Sequence, residues 1–115
     1  MHALLAAALD DARAMSERGW RMPGQATLAE ASRLLALLDD LHWREPEVQA
    51  TPDGDISFEW EAGEHGWLQL LVRGDGELAH SAVIDGDEYA QSEAFGDALP
   101  DWAANLLARL RAFGH

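Results

Sequence analysis

The sequence predicts an α+β fold in the order α-α-β-β-β-β-α: two N-terminal helices, an antiparallel meander of three to four strands, and one C-terminal helix. Three observations predict it. Apolar residues recur at helical spacing as far as Leu41, the period switches to strict alternation at Asp55, and a helical stripe returns from Leu99. With 115 residues, a single domain spanning 1–115 is expected, long enough to bury roughly two thirds of its extended-chain surface without crosslinks or metals.

The first helix is predicted over about residues 3 to 18, with Leu5, Ala8, Leu9, Ala12 and Met15 on one face. Gly19 stops it, and Trp20 to Gln25 reads as a connector. A second helix is predicted to start at Thr27, because Thr27-Leu28-Ala29-Glu30 has capping-box form, in which Glu30 reaches back to the Thr27 amide. Its stripe is Leu28, Ala31, Leu34, Leu35, Leu38 and Leu41, and it ends before Pro46.

Asp55 to Glu61 alternates polar and apolar without a miss, the mark of a half-buried strand. Trp67 to Arg73 and Leu78 to Ile84 read as two more strands, and Glu88 to Ser92 as a shorter fourth. Ala62 to Gly66, Gly74 to Gly76 and Asp85-Gly86 read as the hairpin connections. Loops centred on Glu64 and Asp75 set Trp60 against Leu68, Phe58 against Leu70 and Ile56 against Val72. The next ladder sets Leu78 against Val72, His80 against Leu70 and Ala82 against Leu68. Both hairpins then agree on one buried face, and Arg73 falls between Asp55 and Glu77. A slip of one residue would bury Glu59 and Glu61 instead. The last helix carries the stripe Leu99, Trp102, Ala103, Leu106, Leu110 and Phe113. Asp97 or Leu99 caps it, Pro100 lies in its first turn, Arg109 and Arg111 near its negative end, and Gly114 ends it.

Charge narrows the function. The 8 basic residues are all arginine and face 21 acidic ones, for a formal net charge of −13. Fifteen acids and one base, Arg73, lie between Glu45 and Asp101, so the acidity belongs to the sheet region. Such a chain is repelled by phosphate backbones and anionic membranes, so neither nucleic acid nor membrane is expected as a partner. The absence of cysteine excludes disulfides, zinc-thiolate sites and a cysteine nucleophile. The N-terminal stretch reaches Asp10-Asp11 without a basic region or a long apolar run, so a cytoplasmic location is expected.

Candidate chemistry is sparse. The triplets Asp53-Gly54-Asp55, Asp75-Gly76-Glu77 and Asp85-Gly86-Asp87 resemble fragments of calcium loops, but Asp-Gly is also a common hairpin dipeptide and the EF-hand ligand spacing is missing. They are read as turns, with no metal or other cofactor expected. Glu59 and Glu61 share a strand face, yet acid–base work requires a pocket that raises one pKa, and an exposed strand provides none. His80 is placed on the buried face as a core or sheet-end histidine, and His65 at a loop tip as a solvated turn residue. No serine has nucleophile-elbow context. The chain is therefore read as not an enzyme.

Trp60 and Trp102 sit on core stripes, whereas the register turns Trp67 to the opposite face, with Leu71 and Val83 close by and Glu59 and Glu61 beside it. Apolar side chains inside an acidic rim have the organisation of an interface. The competing reading is that the first helix or the Trp20 to Gln25 connector folds over this patch.

The stretch Pro52-Asp53-Gly54-Asp55-Ile56-Ser57-Phe58-Glu59-Trp60 resembles a strand signature, Asp-Gly-x-Ile/Val-x-x-Glu-Trp, of small uncharacterised bacterial proteins, which implies no agreed function. Size, acidity and helix–sheet–helix order also resemble type III secretion chaperones, small acidic dimers that hold an extended segment of an effector. That family interrupts its strands with a helix, and here the strands read as one meander. The reading favoured by the residues is a non-catalytic module that binds a basic protein, in the manner of an immunity protein or antitoxin. Its partner-binding residues are Glu59, Glu61, Trp67, Leu71 and Val83, and a homodimer through the same face is the self-associating version. The alternatives are the chaperone, and a small metal-dependent enzyme, which requires a pocket converging on His80 and carboxylates.

Overall fold

The computed structural model describes residues 2–40 and 44–112. Helix α1 runs Ala3–Ser16 and α2 runs Gln25–Asp39. Five strands follow, β1 (Glu47–Ala50), β2 (Ile56–Glu61), β3 (Gly66–Val72), β4 (Glu77–Ile84) and β5 (Asp87–Ala94), and then helix α3 (Asp101–Arg111). The strands form one antiparallel sheet in chain order, so the class is α+β and the meander has five strands rather than the expected three to four. The extra strand is β1. Its Glu47-Val48-Gln49-Ala50 alternates like its neighbours, but four residues directly after Pro46 give too short a run to stand out.

The pairing follows the alternation. Ile56, Phe58 and Trp60 oppose Val72, Leu70 and Leu68, which in turn oppose Leu78, His80 and Ala82. Asp85 and Gly86 both take positive φ, 52° and 86°, the requirement of a two-residue type I′ turn, and this sets β5 against β4 from Ile84↔Asp87 to Glu77↔Ala94. All three Asp-Gly-acid triplets lie at strand-to-strand turns, where Asp75 Oδ1 accepts the Glu77 amide at 3.0 Å. Arg73 lies close enough to Asp55 to lower its pKa, although burial of Asp55 outweighs this and raises it overall.

Residues of all three helices, Leu5 and Leu9 from α1, Ala31, Leu34, Leu35 and Leu38 from α2, and Ala103, Leu106, Leu107 and Leu110 from α3, join one cluster with Ile56, Phe58, Trp60, Leu68, Leu70, Val72, Leu78, Ala82 and Ile84. Burying that apolar surface is the main force holding helices to sheet. Helix α1 buries Leu5, Ala8, Leu9 and Ala12 as expected, while Met15 of the same expected face is half-buried. The α2 stripe holds from Ala31 to Leu38; Leu41 of that stripe, and Phe113 and Gly114 at the C-terminal end, lie outside the described residues.

Three local expectations are corrected. Helix α2 begins two residues early, at Gln25 with Gly24 as its N-cap, so Thr27 is already inside the first turn and Glu30 cannot close a capping box. The Glu30 carboxylate instead accepts the amides of Gly74 and Gly76, at 3.0 and 2.9 Å, in the β3–β4 turn. Helix α3 starts later than expected, with Pro100 at its N-cap and Asp101 in its first turn, where a negative charge suits the helix dipole. Its inward face is accordingly Ala103, Leu106, Leu107 and Leu110. Trp102 is turned to the flank and is 46% exposed, not a core residue.

His80 lies on the core face with its side chain 1% exposed, and the Trp102 ring stacks over it at 6.5 Å between centroids. Its Nδ1 comes no nearer than 3.8 Å to Glu93 Oε2, and both atoms are buried without a hydrogen-bond partner. Burial lowers the His80 pKa, with the nearby Glu93 carboxylate opposing the shift. A histidine whose pKa is depressed on folding leaves the unfolded chain binding the extra proton, so stability falls as pH drops below about 6.5. Thermal melts between pH 8 and pH 5.5 should show the native protein losing more stability on acidification than His80→Leu does. Parallel curves would exclude His80 as the source.

Candidate functional site

Because successive strand residues alternate between faces, the core register leaves a second surface on the other side of the sheet. It carries Ser57, Glu59 and Glu61 from β2, Trp67, Gln69 and Leu71 from β3, Ala79, Ser81 and Val83 from β4, and Glu88, Ala90 and Ser92 from β5. The apolar residues buried in the core all come from the other face or from the elements packed on it. Trp67 is 40% exposed, Leu71 and Val83 are half-buried, and Glu61 is exposed. Ser57, at the β1–β2 turn end of the same face, is 3% exposed, so the open part of the face lies around Trp67, Val83 and Glu61.

The Trp20 to Gln25 connector, expected as one possible cover, lies at a different end of the sheet. There the Arg21 amide donates to the Pro52 carbonyl at 2.9 Å beside the β1–β2 turn. The expected binding residues Glu59, Glu61, Trp67, Leu71 and Val83 therefore share one face; Glu61, Trp67 and Val83 are direct neighbours, Glu59 is one row away, and Leu71 two rows away. Glu61 is directly opposite Trp67, Trp67 opposite Val83, and Ser57 opposite Leu71.

Trp67 stands between two hollows. One, of about 260 Å³, is lined by Glu59, Trp60, Glu61, Trp67, Leu68 and Gln69. The other, of about 420 Å³, is lined by Trp67, Ser81, Ala82, Val83, Glu88, Tyr89 and Ala90. Gln69 Nε2 donates to Glu59 Oε1 at 3.2 Å, which holds that carboxylate at the rim of the first hollow. Arg44 lies at the same end but directs its guanidinium to the Glu61 backbone carbonyl, just beyond the point where β1 stops pairing with β2.

Sequence reasoning missed Gln69, Ser81, Glu88 and Ala90. The signal was present in Asp85-Gly86: a two-residue turn there fixes Glu88 opposite Val83 and so brings β5 into the same surface. The surface is equipped to hold an apolar group against Trp67 and Val83 and cationic groups at its carboxylate rim, with Leu71 two rows along, beyond Gln69 and Ser81. Among the described residues, no group of three or more histidine and acidic side chains has metal-binding geometry. His65 sits away from the surface at its loop tip, 3.4 Å from Asp85 Oδ1. No helix of the described residues is long and apolar enough to cross a membrane. Scans against protein-family models, curated proteins and solved structures return no match, so the reading of this face rests on its own geometry.

Proposed function

We propose that this chain is a non-catalytic binding module that engages a basic protein through the open face of its sheet, as immunity proteins and antitoxins engage theirs. The observation that carries the reading is Trp67, 40% exposed beside Val83 on the side of the sheet away from the core, with Glu61 and Glu88 at the two ends of its row and Leu71 further along the same face. Exposed tryptophan in an apolar patch is the residue type that anchors interfaces. The surrounding carboxylates speed encounter with a cationic partner and discriminate against acidic ones. With a net charge of −13, two copies of the chain repel each other, which favours a basic partner over self-association. The chaperone alternative draws no support from the strands, which follow one another with only a short 3₁₀ turn, Gly63–His65, between β2 and β3.

The double variant Trp67→Ser/Leu71→Ser tests the proposal. In pull-downs from the native host, the partner retained by the native chain should fall at least about tenfold, since losing one central anchor typically costs about 2 kcal/mol or more. Circular dichroism and melting temperature should stay near native. Undiminished capture would remove the face from the interface, and an unfolded variant would show that these side chains belong to the core. Association should also slow several-fold on raising salt from low ionic strength to about 0.5 M, as screening suppresses steering.

A further inference from the structure

The rows that cross the open face differ in one respect. Reading across the strands, Glu61, Trp67, Val83 and Glu88 are successive direct neighbours. The next row is Glu47, Glu59, Gln69, Ser81 and Ala90, with acids at the β1–β2 end only, and the one after is Gln49, Ser57, Leu71, Ala79 and Ser92, with none. Only the row through Trp67 has a carboxylate at both ends. The two hollows flank Trp67 along this same row, with Glu61 lining one and Glu88 the other. Both carboxylates are exposed, and among the described residues neither forms a side-chain ion pair.

We infer that this row is a two-cation clamp, which reads a basic–x–apolar–x–basic segment of the partner laid across the strands. The inference rests on the binding-face reading and specifies the chemistry recognised. Neighbouring strands lie about 4.8 Å apart, so the three steps from β2 to β5 separate Glu61 from Glu88 by roughly 14 Å. An extended chain rises about 3.4 Å per residue, so it spans that distance in about four residues, and residues two and four apart point to the same side. A partner arginine at the first position then meets Glu61 and lies along the Trp67 indole, whose π face attracts a guanidinium. An aliphatic side chain two residues on rests on Trp67 and Val83, and a second cation reaches Glu88.

Charge complementarity selects this occupant over a second copy of the chain. Between Glu45 and Asp101, the segment that forms the sheet, Arg73 is the only base, so the chain's own strands cannot supply two cations at this spacing.

Two capped peptides of identical composition test the spacing, Arg-Thr-Leu-Thr-Arg and Arg-Arg-Thr-Leu-Thr, titrated into the full chain while the Trp67 indole N–H signal is followed by NMR. The first should bind at least about fivefold more tightly than its isomer. Glu61→Gln and Glu88→Gln, both at exposed positions, should each abolish the preference while leaving the melting temperature unchanged. Equal binding of the isomers, no binding of either, or a preference that survives Glu88→Gln would overturn the clamp. The wider reading fails separately, if Trp67→Ser/Leu71→Ser still captures the native partner.

Discussion

Replacing Gly66 by alanine should destabilise the fold by about 3–5 kcal/mol, lowering the melting temperature by roughly 10–25 °C. Gly66 opens β3 at φ 132°, where the 3₁₀ turn Gly63–His65 hands over to the strand. A Cβ placed there would lie 1.7 Å from the Val83 carbonyl oxygen and 2.7 Å from its carbon. Both are backbone atoms of the paired strand, so no side-chain rotation relieves the collision. The chain must either leave that φ or open the Gly66↔Ile84 end of the ladder.

Gly76→Ala is the control. Its φ of 81° is also unfavourable to alanine, but nothing lies within 4 Å of the added Cβ, so the cost should be conformational only, about 1 kcal/mol. Urea denaturation of both variants separates the effects. Similar midpoints would mean that the clash is relieved by a small backbone shift. Because Val83 and Trp67 pair directly beside Gly66, Gly66→Ala should also weaken partner binding in whatever fraction stays folded.

How much of this was legible depends on how far each feature is determined by local pattern. The register of β2, β3 and β4 was readable because alternation is strict and a one-residue slip would bury Glu59 and Glu61. From that parity alone Trp67 had to face away from Phe58 and Leu70, so the candidate surface was visible in outline. Whether a helix would return to cover it was not, since that depends on how three helices divide over two faces. The core cluster answers it by drawing helix residues from Leu5 to Leu110 to one side.

The pattern marks Glu88 as a strand residue but not as a neighbour of Val83, because its place depends on a two-residue turn with positive φ at Asp85 as well as Gly86. Trp102 is ambiguous for a different reason. Stripes built on Trp102 and on Ala103 share Leu106 and Leu110, and only the helix start at Asp101 and the packing of Leu107 decide that tryptophan lies on the flank over His80. Glu30 had the right chemistry and the wrong partner. Its motif matches a capping box, but the long-range approach of the β3–β4 turn captured the carboxylate.

That captured carboxylate supports the other large expected effect: Glu30→Ala should cost about 2–4 kcal/mol. Glu30 is 6% exposed, and each of its oxygens accepts one turn amide, from Gly74 and from Gly76. Hydrogen bonds to a charged acceptor each contribute about 1.5–3 kcal/mol, and water can reach part of this turn to replace what is lost. The turn is seated closely on α2. A Cβ at Gly74 would come 2.7 Å from Thr27 Oγ1 and 2.9 Å from the Thr27 nitrogen, so the loop has little room to find other acceptors.

Glu30→Gln is the sharper probe. It keeps the volume and one acceptor oxygen but points an N–H₂ at the second amide, so it should recover less than half of the loss. Hydrogen exchange supplies the local readout, with the Gly74 and Gly76 amides losing protection in both variants while amides in the middle of β2 and β3 keep theirs. If Glu30→Ala melts with the native protein and those two amides stay protected, the helix–turn tie contributes nothing, and the β3–β4 hairpin holds its shape through its own ladder.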